Sequence, residues 1–249
     1  MRAQLRAELL KQRSTSTGVG LLAGMLGVVL FAVALHALGL ATENLGNASE
    51  QLATIEPGQR IGTLFAALAG ALSITTEFRH GTIRPTLLVT PWRGRVIAAK
   101  VWAAIAIGTG FGLAAAALAA GAGAAGLAAR GIEVQLDAGD YALSLAGGAA
   151  AGGLWAVIGV GIGAAVRRQV PALVGICTWL LFLEGVILGN FASTDAGEFL
   201  PGAAATAITG VGAERLTLLA PAAGLALLAL YAAAAALVGA QVTVRRDVA

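Results

Sequence analysis

Between Glu77 and Lys100 the chain reads EFRHGTIRPTLLVTPWRGRVIAAK, a polar stretch set between two long apolar runs. It holds Glu77, Arg79, His80, Arg84, Arg93, Arg95 and Lys100, a Gly-Thr break at Gly81 and Thr82, and prolines at Pro85 and Pro91. Thr82 can cap a short helix, Pro85 fits its first turn, and Thr90 before Pro91 favours its end. That predicts about two turns from Ile83 to Val89, with Leu87 and Leu88 on one side and Arg84 on another. A leucine knob with a charged rim suits a groove on a partner protein. The competing reading lays the same helix on a lipid surface with its arginines on phosphates.

Bond-making chemistry finds little support elsewhere. The only lysines, Lys11 and Lys100, follow Leu10 and Ala99, so no Gly-Lys-Ser/Thr phosphate loop exists and ATP hydrolysis by this chain alone is not expected. His36 and His80 have no Cys, His or carboxylate set at metal-ligand spacing. No Ser or Cys has a His at a spacing that suggests a catalytic pair. Gly108, Gly110 and Gly112 superficially resemble a dinucleotide loop but have no preceding strand. Cys177 is the single cysteine, which excludes an intramolecular disulfide.

The elements that must position these residues follow from composition. Hydrophobic residues make up 58% of the 249, charged ones 12%, and the mean hydropathy is +0.84, so the chain reads as an all-α integral membrane protein. Apolar runs place six spans near residues 18–40, 60–76, 97–128, 141–165, 170–189 and 219–241. With the N-terminus inside, Arg2, Arg6, Lys11, Arg13, Arg79, Arg84, Arg93, Arg95, Lys100, Arg167, Arg168, Arg245 and Arg246 fall on the inner side. Of the 16 basic residues only Arg60, Arg130 and Arg215 fall outside. That asymmetry predicts both termini in the cytoplasm.

Residues 1–17 read as an interfacial helix ahead of a six-span domain over 18–249, whose segment 77–96 projects inward. Leu5 and Leu9 sit four apart, with Arg2, Arg6 and Arg13 available to phosphates, although a basic flank that only sets orientation is an equal reading. Gly148 with Gly152, and Gly159 with Gly163, each spaced four apart, offer flat helix faces for close packing. Glu184 is the acidic residue that falls inside a span. It needs a partner or water, with Arg215 and the backbone of 199–212 as the choices.

Thr76 to Arg84, followed by Leu87, Leu88, Pro91, Arg93 and Lys100, resembles the signature after the second span of ABC-2 type (type V) permeases, the membrane subunits of ATP-binding cassette exporters. Glu8-Leu9-Leu10-Lys11, Leu183-Glu184 and Leu200-Pro201-Gly202-Ala203 add to the resemblance, which extends over nearly the whole chain. It implies a cytoplasmic coupling helix between spans two and three, with Glu77, Arg79, Gly81, Thr82, Arg84, Leu87, Leu88 and Pro91 at the partner interface. It also implies a short re-entrant segment before span six; for Glu184 three readings stay open, an anchor for that outer segment, a substrate, proton or outer-gate contact, and no role. The implied partners are two copies of an ABC ATPase, which carry the ATP and Mg2+, and a second permease in a homo- or heterodimer. This chain itself would hold no cofactor or metal.

On that resemblance the chain is expected in a bacterial plasma membrane, exporting a hydrophobic or amphipathic substrate such as a drug, lipid or peptide, with no role for nucleic acid. Two other readings stay open: a membrane partner or sensor subunit that transports nothing, and an ion-driven secondary transporter. Against the second, one charged residue lies inside a span and the halves show no clear inverted repeat.

Overall fold

The computed structural model describes residues 2–39, 45–82, 93–191, 195–210 and 218–245, and the described residues are mostly helical, with no strand among them. In chain order the helices are α1 (Arg2–Ser14), α2 (Ser16–Gly39), α3 (Ala48–His80), α4 (Arg93–Ala129) and α5 (Ala138–Val166). There follow α6 (Gln169–Thr178), a π-helical stretch (Trp179–Leu183) that runs on into α7 (Glu184–Phe191), a 3-10 turn (Asp195–Phe199), α8 (Pro201–Thr209) and α9 (Pro221–Arg245). Six of these segments are long and apolar enough to cross a membrane: α2, α3, α4, α5, α6 with its continuation, and α9. All six coincide with apolar runs legible in the sequence.

The centre of the bundle is built from α3 and α5, while α2, the α6 segment and α9 leave most of their apolar surface outward. Close approach explains the glycine-rich composition. A Cβ at Gly112 would collide with the Gly148 carbonyl, and one at Gly152 with that of Gly108, so α4 and α5 cross backbone to backbone. Gly159 meets the Ala67 carbonyl of α3 in the same way. Large side chains fill the layers between, with Met25, Val29, Ile55 and Phe111 in one cluster and Trp155, Ile158, Ile176 and Leu228 in the other.

Polar contacts sort the helix ends. The C-terminal ends of α3, α5 and α9 gather with the N-terminal ends of α4 and α6 and with α1. Arg79 reaches Gln169 at 3.3 Å, and the Arg167 guanidinium donates to the Val242 carbonyl at 2.8 Å while lying 5.4 Å from the Phe78 ring centroid. At the opposite end Arg130 donates to the Ala37 carbonyl at 2.6 Å. There Gln51 donates to the carbonyls of Leu45 and Glu133 at 3.0 and 2.9 Å, and accepts from the Gln135 N–H at 2.8 Å.

One boundary differs from the sequence reading. The second span was placed from residue 60, but α3 begins at Ala48 and passes through Pro57, because the polar side chains that lower its hydropathy are satisfied inside the fold. Gln51 is bonded as above, and Gln59 donates to the Ser144 hydroxyl and carbonyl at 2.7 and 3.0 Å. The 37 residues of α4 span about 55 Å, well beyond a hydrocarbon core of ~30 Å.

Candidate functional site

Four charged side chains from three helices meet at the end of the bundle that carries α1. Lys100, at the start of α4, places its ammonium 2.7 Å from Glu77 Oε1 and 3.1 Å from Glu8 Oε2. Lys11 reaches the same Glu77 oxygen at 3.0 Å and Glu8 Oε1 at 3.2 Å. Lys100, Glu8 and Glu77 are buried, whereas Lys11 is half-exposed. Two carboxylates and two ammonium groups balance, so each buried charge is compensated.

Local sequence explains the meeting. Glu8 and Lys11 are three apart on α1 and share a face. Glu77 lies in the last turn of α3, which Gly81 closes in the left-handed conformation at φ 67°, with the Thr82 N–H donating to the Glu77 carbonyl at 3.1 Å. Burial alone would lower the Lys11 ammonium; its hydrogen bond and charge attraction to Glu77, then to Glu8, outweigh that and raise it above its ordinary 10.5. Beside the cluster lies a cavity of about 530 Å³ whose apolar walls include Leu21, Leu22, Leu72 and Phe111.

The second built feature surrounds Glu184. Its carboxylate Oε1 accepts the N–H groups of Gly202 and Ala203 at 2.5 and 3.1 Å, capping the N-terminus of α8. Pro201 at the first helical position has no N–H to satisfy, so the next two donors face the carboxylate. A Cβ at Gly202 would occupy the space of the Glu184 carboxylate and displace it. Just ahead of α8, Tyr231 of α9 donates its hydroxyl to the Phe199 carbonyl at 2.8 Å.

The sequence-predicted residues thus divide. Glu77 points into the ion cluster, Arg79 lies exposed against Gln169, Gly81 ends α3, and Thr82 is exposed beyond it. Arg84, Leu87, Leu88 and Pro91 lie outside the described residues, as does the helix expected over Ile83–Val89; Arg215 does too. Glu184 meets backbone from the 199–212 segment.

Sequence reasoning did not single out the pairing of Glu8 and Lys11 with Glu77 and Lys100. A signal was present: acid and base stand at the tips of adjacent apolar helices, where an unpaired charge is costly. On α1 the buried residue is Glu8, while Leu5 and Leu9 are only partly covered. No family model matches this chain, and no curated protein matches it.

Proposed function

We propose that the chain is the membrane-spanning permease of an ATP-driven exporter of the ABC-2 type, with both termini cytoplasmic and ATP hydrolysis carried out by two separate ATPase subunits. The observation that carries this reading is the ion cluster. Glu77 and Lys100 stand at the two roots of the segment 83–92, and Glu8 and Lys11 tie both roots to the N-terminal helix. A push on that segment therefore loads α3 and α4 together, and α3 packs along α5 at the centre of the bundle. Tightly packed helices move as bodies, so the displacement opens a route between two permeases without deforming either. In this reading α8 is a re-entrant element on the outer side, held by Glu184, and α1 lies at the inner membrane surface.

The test is made on the segment itself. Arg84→Glu, and the double change Leu87→Ala with Leu88→Ala, should weaken ATPase pull-down or uncouple transport from hydrolysis while leaving permease abundance unchanged. Truncating a packed interface anchor costs roughly 2 kcal/mol or more. Normal pull-down and normal transport in both variants would remove the segment from the mechanism.

A further inference from the structure

A cavity of about 190 Å³ lies between α3, the α6–α7 segment and α8. Its polar lining is one-sided in hydrogen-bonding character. Thr63 spends its hydroxyl proton on the Gln59 carbonyl at 2.7 Å, Thr206 on the Gly202 carbonyl at 3.0 Å, and Thr209 on the Thr206 carbonyl at 2.9 Å. Each hydroxyl oxygen keeps only lone pairs. Gln59 has committed its NH2 group to Ser144, and Glu56 and Glu184 are acceptors. Among the described lining side chains the remaining donor, Arg60, sits on Glu56 at 2.7 Å with 62% of its side chain exposed, and its charge also reaches Glu184.

Glu184, Gln59, Thr63 and Thr209 are each more than nine-tenths buried. The lone pairs that these oxygens turn to the cavity can be met by a donor entering it, and a positive group meets several at once. The described residues offer no set of three His, Cys, Asp or Glu side chains that could hold a metal ion. The apolar remainder of the wall includes Leu64, Leu180 and Leu181, and Leu181 is 56% exposed on the outer face of its helix. That leaves a hydrocarbon path from the cavity to the bilayer. The volume falls below the roughly 300–1,000 Å³ of drug-sized pockets, leaving room for a head group but not for a whole drug-sized molecule.

We propose that this cavity binds the ammonium head of a cationic amphipath, with Glu184 as its counter-ion and the alkyl chain leaving past Leu180 and Leu181. The transport role of this site rests on the exporter reading; the binding does not.

The test uses the full chain in phosphatidylcholine nanodiscs, titrated with dodecylammonium, dodecanol or NaCl and read by tryptophan fluorescence, since Trp179 lies just over one turn before Glu184. Dodecylammonium should saturate the signal. Glu184→Gln keeps an acceptor for the Gly202 and Ala203 N–H groups, yet should weaken dodecylammonium at least about tenfold, the loss of one charged contact. Thr63→Val should weaken it about threefold or more and serves if the first variant misfolds. Dodecanol binding as tightly as dodecylammonium, Na+ saturating the signal in its place, or Thr63→Val titrating like wild type overturns the proposal. Each of those results leaves ATPase copurification, and with it the exporter reading, intact.

Discussion

The buried ammonium of Lys100 holds carboxylates from two different helices within 3.1 Å. Lys100→Met leaves Glu8 and Glu77 with only the half-exposed Lys11 between them, and should cost about 3–5 kcal/mol of unfolding free energy by denaturant titration. Lys11→Ala should cost about 1 kcal/mol or less, because half of its side chain is in solvent. Adding Glu77→Gln to Lys100→Met should recover part of the loss, since the two residues are directly coupled. Because the Lys11 ammonium is raised in the folded state, its contribution is fully present below 10.5 and is lost as pH rises through the raised value. The thermal midpoint should therefore fall more steeply above pH 10.5 in wild type than in Lys11→Met. At this scale the sequence showed which charges flank the apolar runs but not which would pair, because pairing depends on how α1 folds back on α4. Glu184 was more legible: a carboxylate inside a span has few places to go, and the backbone of 199–212 was one of two.

Between α4 and α5 the packing makes a prediction with a built-in control. Gly112→Ala puts a methyl group into the Gly148 carbonyl and should destabilise by roughly 1–3 kcal/mol, the usual cost of overpacking. Gly110→Ala, two residues away on the same helix, meets nothing within 4 Å and should be neutral or stabilising by up to ~1 kcal/mol through helix propensity. Equal effects from the two would contradict the helix crossing described here. The four-residue spacing of Gly148 with Gly152 and of Gly159 with Gly163 was readable as a pair of flat faces. Their partners were not, because Gly110 between Gly108 and Gly112 masks the same spacing on α4. The length of α3 was hidden for a different reason: Gln51, Gln59 and their neighbours look like loop residues to a hydropathy count, and only the groups they bond make them interior.

For the molecule as a whole, the six apolar helices were legible because span length and apolar content are properties of the linear chain. How the ends gather was foreshadowed by charge, since Arg79, Lys100 and Arg167 meet α1 or one another's helices at one end. Orientation in the membrane is checked by labelling cysteines in a Cys177→Ser background: Ser49, Gln135 and Thr194 positions should react from outside intact cells, and Gly94 and Gln169 positions should not. The measurement that bears most directly on the central claim is purification of the tagged chain from its native membrane with whatever copurifies, followed by identification of the bound subunits, stoichiometry and ATP turnover. The exporter reading predicts a complex of two permeases and two ATPases whose turnover responds to substrate, with no turnover from the permease alone. A permease that purifies free of any ATPase and moves its substrate on an ion gradient would contradict it.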